Sequence, residues 1–229
     1  MFKRLVATLF ILLINNFAFA EYFDYSKYYN QLTIKSPKAI IYDADSGDII
    51  FQKKANEKSS IASLTKLMTA MVLIDSNLDL NEKVKITKKD QDRIKGTKSR
   101  LWLRSELTRK ELLSIALIAS DNRAASALSN SYPGGKKAFV QAMNVKAKQL
   151  GMDDTSFADP TGLDKNNIST AIDLVKMTQA AQQYPIIREL STSSYYEAYI
   201  KNKKIRLNYN NTNLLVRQGL WDIDISKTG

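Results

Sequence analysis

The chain has no cysteine and no histidine among its 229 residues. Without cysteine no disulfide can staple the fold, and thiol catalysis is excluded. Without histidine there is no Ser-His-Asp triad and no histidine metal site. A nucleophilic mechanism is then left with serine or threonine, activated by a carboxylate or an amine. Glycine (8) and proline (4) are scarce, which argues against long flexible linkers. There is no internal repeat and no low-complexity tract. Beyond the N-terminus no segment is long and apolar enough to span a bilayer.

What is present is an ordinary globular composition, 44% hydrophobic and 25% charged, long enough for one large domain or two small ones. The first twenty residues, MFKRLVATLFILLINNFAFA, carry Lys3 and Arg4, an apolar run from Leu5 to Ile14, and an Ala18-Phe19-Ala20 cleavage pattern. This reads as a secretory signal peptide cut after Ala20. Lys3 and Arg4 leave with it, so the formal charge falls from +11 to +9. A basic exported chain suggests an anionic surface or polymer outside the cytoplasm, and export argues against nucleic acid.

Residues 21–37 are polar and Tyr-rich, a loose lead. AIIYDADSGDIIFQKK reads as a hairpin around DADSG. VKIT (84–87) and SRLWL (99–103) read as short strands. Thr108 with Glu111 forms a capping box before a buried helix. GGKKAFVQAMNVKAKQLG is an amphipathic helix stopped by Gly151, and Thr170 with Asp173 opens another that ends before Pro185. YYEAYIKNKKIRLNYN reads as a hairpin. WDIDISKTG alternates, so Trp221, Ile223, Ile225 and Lys227 share one face of a strand. Strands, then many helices, then strands give an α+β class.

In IASLTKLMTAMVLI, Ser63 and Lys66 are three residues apart at the mouth of an apolar run. On a helix that spacing stacks the hydroxyl and the ammonium on one face. Alone, the pair fits an N-cap and a snorkelling lysine. Downstream stand Ser120-Asp121-Asn122, a loop-favouring trio, and Lys227-Thr228-Gly229. In this order the three motifs match S-x-x-K, S-D-N and K-T-G of penicillin-binding proteins and class A β-lactamases. The β-lactamase also needs a deacylating Glu in an E-x-x-L-N pattern. Between Asn122 and Lys227 the only glutamates are Glu189 and Glu197, in other contexts.

From about Lys38 to Gly229 the chain resembles the penicillin-binding serine peptidases that cut D-alanyl bonds in peptidoglycan, most of all the endopeptidase members. ASLTKLMTAMV, SRLWLRSELTRKELLSIALIASDNRAASALSNSYPGG and AFVQAMNVKAKQLGMDDTSFADPTGL carry the likeness. It implies a transpeptidase-like domain over residues 38–229, an antiparallel sheet flanked by helices, with a helical lobe holding S-D-N. It implies Ser63 as the acylated nucleophile, Lys66 as its base, and Ser120 as a proton relay to the leaving amine. Asn122 would hold the substrate backbone. Lys227 would support the proton network, and with Thr228 and Gly229 would hold the carboxylate side of the substrate. Asp121 has a surface role or a minor one. No metal or cofactor is implied. Peptidoglycan stem peptides and cross-links, with β-lactams as covalent inhibitors, are the implied partners, in the periplasm.

In that family the K-T-G strand is followed by two more strands and a helix, and the residue after K-T-G gives the second oxyanion N–H. The sequence stops at Gly229. The resemblance therefore implies a fragment of a longer product, or of a broken gene, that is inactive or unstable as written. A non-catalytic peptidoglycan-binding remnant is the alternative from another class. Endopeptidase and carboxypeptidase share the same chemistry and differ in pocket shape, which the motifs do not encode.

Overall fold

A helix buried on nearly every side organises the chain. This is α1, Thr65–Asp75, in which every residue from Thr65 to Leu73 is buried. Leu67, Met68, Met71, Val72 and Leu73 point in all directions around it, as a helix enclosed by others requires. The computed structural model describes residues 33–229, of which residues 37–229 form one compact unit. The expected signal peptide, and the lead through residue 32, lie outside the described residues.

Five helices surround α1: α2 (Arg109–Ile118), α3 (Asn122–Asn130), α4 (Gly135–Gln149), α5 (Ala171–Gln182) and α6 (Pro185–Ser191). Leu112, Ile115, Leu128, Phe139 and Met143 are fully buried in the shared core. Each such side chain contributes about 1.5–3 kcal/mol relative to exposure. With no disulfide, this core carries the fold.

The helix boundaries follow local chemistry. At α2, the Thr108 hydroxyl accepts from Glu111 N and the Glu111 carboxylate accepts from Thr108 N, the expected capping box. At the end of α4, Met152 N donates to Ala147 O and Gly151 N to Lys148 O. That pairing needs a left-handed residue, and Gly151 has φ +67°. At α5, Thr170 accepts from Asp173 N. Helix α6 was not expected. Pro185 stands at its first turn, where a missing N–H costs nothing, rather than marking only a stop.

The strands form four separate two-stranded antiparallel ladders among the described residues. These are β1 (Ala39–Tyr42) with β2 (Ile49–Lys53), β3 (Ser59–Ser60) with β6 (Ile168–Ser169), β4 (Lys83–Lys85) with β5 (Glu106–Thr108), and β7 (Tyr195–Ile200) with β8 (Ile205–Asn210). A short helix α7, Leu214–Gln218, follows β8. The class is α+β, and both expected hairpins are present.

Two expected strands are absent. Residues 99–103 form no ladder; β4 pairs instead with 106–108, and the chain beyond it continues with Arg104 N donating to Ile86 O and Ile86 N to Ser105 O. Leu101 is buried as a single anchor while Trp102 is half exposed, so the run packs at one point and not along a face. Residues 221–227 also form no ladder. A strand is defined by its neighbour's hydrogen bonds, and here Ser226 N donates to the Ser191 hydroxyl instead. Trp221 is 67% exposed, so the alternation does not produce one buried face.

Candidate active site

Ser63 does not lie within α1. It sits in a single 3-10 turn, Ala62–Leu64, directly before it. The turn is fixed from both sides. Before it, β3 pairs with β6 and Ile61 N donates to Asn167 O at 3.0 Å. After it comes the buried helix. The spacing to Lys66 still stacks the two side chains, and Lys66 Nζ lies 2.9 Å from Ser63 Oγ.

Lys66 is 1% exposed. Its ammonium also donates to Asn122 Oδ1 at 2.7 Å and to Thr161 O at 2.6 Å. All three protons therefore have acceptors. Burial lowers its pKa, the nearby Lys227 cation lowers it further, and the Asp121 and Asp159 carboxylates pull it back only in part. The result is about 7 in place of 10.5. When Lys66 loses a proton, Asn122 Oδ1 and Thr161 O still hold two N–H bonds, so the lone pair is left facing the Ser63 hydroxyl. That is the geometry a general base needs.

Asn122 opens α3, and Asp121 is its N-cap, accepting from Ala124 N at 2.9 Å. This gives Asp121 a structural role. Ser120 lies on the link between α2 and α3 with φ +57°, a conformation a non-glycine residue rarely holds. Its hydroxyl accepts from Lys227 Nζ at 2.8 Å. Burial lowers the Lys227 pKa to about 8. Thr228 Oγ1 lies 2.6 Å from Thr212 Oγ1. Gly229 reaches the nucleophile's turn, where a Cβ on it would stand 3.4 Å from Leu64 Cγ. Six of the seven expected site residues thus fall into two hydrogen-bonded groups, Ser63–Lys66–Asn122 and Ser120–Lys227–Thr228, and Gly229 closes the gap beside Leu64.

Two participants were not anticipated. One is Thr161, whose backbone carbonyl binds Lys66. Its turn is built by the run Asp159-Pro160-Thr161-Gly162. The Asp159 carboxylate, 2% exposed, accepts from Gly162 N at 2.9 Å, from Asn167 Nδ2 at 2.7 Å and from the Thr161 hydroxyl. Asn167 also reaches Thr65 Oγ1 at 3.0 Å, and Thr69 Oγ1 donates to Pro160 O at 2.7 Å, which ties the turn to α1. The D-P-T-G run is a recognisable turn signal, but a carbonyl acceptor leaves no mark in a sequence. The other is Thr97, whose hydroxyl accepts from Asn122 Nδ2 at 3.0 Å. Glu197 is paired with Arg206 across the β7–β8 hairpin.

The comparisons with known proteins agree with this geometry. The profile of the family described as D-alanyl-D-alanine carboxypeptidase, peptidase S11, matches residues 26–229. The chain is 46% identical over 200 residues to the D-alanyl-D-alanine endopeptidase of Escherichia coli (strain K12), and 40% identical over 199 residues to the protein of that name in Pseudomonas aeruginosa. Each match covers 87% of this chain and 64% of the relative, so the chain spans about two thirds of their length at most. Among solved structures, the Streptomyces K15 DD-transpeptidase superposes with a TM-score of 0.75 at 28% identity, over 82% of this chain and 77% of that one. With a lysine buried against a serine where no histidine or cysteine exists, and a profile match that runs through all three motifs, the chain belongs to the S11 family of D-alanyl-D-alanine peptidases.

Proposed function

We propose that the full-length protein is a serine-type D-alanyl-D-alanine peptidase, an endopeptidase or carboxypeptidase of peptidoglycan stem peptides, exported to the periplasm. The observation that carries this is the 2.9 Å contact between Ser63 Oγ and a buried Lys66 whose pKa is about 7. Lys66 takes the hydroxyl proton as Ser63 Oγ attacks the D-alanyl carbonyl, giving an acyl-enzyme. Ser120, held by Lys227, passes a proton to the leaving amine. Lys227 and Thr228 face the substrate carboxylate. The first relatives being endopeptidases favours that branch. The β-lactamase reading is disfavoured because Glu197 is engaged by Arg206 and neither glutamate stands in an E-x-x-L-N pattern.

A fluorescent penicillin incubated with the full-length protein is expected to label it covalently at Ser63, and Ser63→Ala is expected to remove the label. Absence of label, or label that survives in Ser63→Ala, refutes the mechanism. A non-catalytic binding remnant predicts retention on isolated sacculi with no label at all.

The pH dependence follows from the two lysines. Labelling speeds up as pH rises through about 7, where Lys66 becomes a free base, and slows above about 8, where Lys227 loses the charge that holds Ser120 and the substrate carboxylate. Stopped-flow acylation across this range tests it. A rate that is flat through both limbs is incompatible with lysine acting as the base.

A further inference from the structure

Most of the chain's net positive charge is concentrated in one stretch. Residues 83–110 hold eleven Lys and Arg against three Asp and Glu, a net +8 of the total +11. Two of the three acids, although both line the crevice described below, have their oxygens engaged by the fold. Asp90, 2% exposed, accepts from Thr87 N and Thr87 Oγ1 and, at 2.7 Å, from Asn130 Nδ2. Asp92 accepts from the N–H groups of Ile94, Lys95 and Thr97 and from the Thr97 hydroxyl. Arg109 is buried and paired with Glu82, but most of the other cations are not consumed. Lys83, Lys85, Lys88, Lys89, Arg93 and Lys95 are exposed, and none of them is in an ion pair among the described residues. Like charges gathered this way repel one another, and an anion relieves that cost.

The stretch is also fastened to the catalytic centre. The Asp92–Thr97 turn is the one whose Thr97 hydroxyl accepts from Asn122 Nδ2. A crevice of about 170 Å³ begins at Asn122 and Thr161, two of the three acceptors of Lys66, and runs out between Lys89, Arg93 and Lys136. At Lys89 and Asp90 it meets a larger cleft of about 620 Å³ that continues past Lys83, Lys85 and Lys88. Backbone register explains the second part: only Val84 and Leu107 of the β4–β5 ladder turn inward, so the lysines on either side of Val84 face outward.

We propose that this basic crevice is a substrate subsite for an acidic peptide, binding free carboxylates on the strand that extends from the bond cut at Ser63. Arg93 and Lys136 are its specificity-determining residues nearest the reacting atoms, with Lys89 beyond them. The inference rests on the peptidase reading above for the identity of the strand. Continuity with Asn122 selects a peptide over a lipid surface, because the crevice starts at the side chain that accepts from Lys66, the group bonded to Ser63 Oγ. Arg93 offers a planar fork suited to a carboxylate.

The test measures binding to the full-length protein carrying Ser63→Ala, so that no turnover occurs. The probes are a D-alanyl-D-alanine peptide with two free side-chain carboxylates and the same peptide with both amidated. The free acid is expected to bind about tenfold more tightly. That preference is expected to fade as ionic strength rises, and to be lost in Arg93→Gln/Lys136→Gln, while Lys201→Gln, on the β7–β8 turn and outside the lining of the crevice, retains it. Equal affinity for the two peptides, or a preference that survives the double substitution, overturns the proposal. So does vesicle binding to phosphatidylglycerol that the double substitution weakens without any peptide preference, which reassigns the crevice to lipid. Penicillin labelling of the unsubstituted protein is read separately: its absence removes the peptidase mechanism and leaves the binding result to stand or fall alone. Both substituted side chains are exposed, and circular dichroism checks that the variants fold.

Discussion

Lys66→Met is expected to slow penicillin acylation of Ser63 by about 10⁴-fold or more, and at the same time to raise the melting temperature. The first effect follows from geometry: no other amine lies within hydrogen-bonding distance of Ser63 Oγ among the described residues. The second follows from linkage. In the folded chain the Lys66 pKa is about 7, against 10.5 when solvated. Between those values the unfolded chain holds more protons, so stability rises with pH across that window. Below about pH 6 both states are protonated and the fold bears the whole penalty, on the order of 5 kcal/mol. Methionine removes that penalty but leaves Asn122 Oδ1 and Thr161 O without a donor, at about 1–3 kcal/mol each. The balance expected at pH 6 lies between about −1 and +3 kcal/mol, near +1 at mid-range and worth a few degrees in Tm, and it falls by several kcal/mol toward pH 10. Thermal melts at both pH values decide it. A variant whose Tm relative to the parent does not fall from pH 6 to pH 10 would falsify the buried-charge argument, and one that still acylates normally would remove Lys66 as the base.

Gly162→Ala is the second large effect. A Cβ at this position would stand 1.8 Å from Ala62 O, 2.3 Å from Ala62 C and 2.9 Å from Ser63 N, and Gly162 has φ +85°. The obstacle is backbone, so no side-chain rotation relieves it. Either the Asp159–Gly162 turn moves away, taking Thr161 O from Lys66, or the Ala62–Leu64 turn moves, taking Ser63 with it. Both outcomes weaken the fold and displace the reacting atoms. Loss of more than about 3 kcal/mol in urea unfolding is expected, with acylation reduced at least about 10²-fold. Normal labelling with an unchanged urea midpoint would show that the two turns are not in contact.

Much of this architecture was legible in single short segments. The Thr108–Glu111 box, the Gly151 stop and the Thr170 cap are chemical answers to orphan helix-end groups. Their partners lie within about four residues, so a local reading finds them. The failures were of another kind. SRLWL and WDIDIS have strand-like residues, but a strand exists only where a neighbour's backbone meets it. At 99–103 and 221–227 the neighbour is elsewhere. Helix α6 was hidden because Pro185 serves equally as a stop after α5 and as a first turn.

The site divides along the same line. The sequence by itself determined which groups are present: with no cysteine and no histidine, Ser63 and Lys66 one turn apart, followed by Ser120, Asn122 and Lys227, are the basis for the proposed amine-activated serine. Only the tertiary structure decided that Lys66 could act as a base. Its pKa depends on being buried by five surrounding helices and approached by Lys227 from 161 residues away. The direction of its lone pair depends on Thr161 O, a carbonyl that every residue type carries. The basic crevice shows the same division. Its charge is plain in residues 83–110, but that Asp90 is buried while Lys89 and Arg93 face outward beside Asn122 is a matter of packing. Composition and spacing fix which groups are available, whereas desolvation and the aim of backbone carbonyls arise only when distant segments meet.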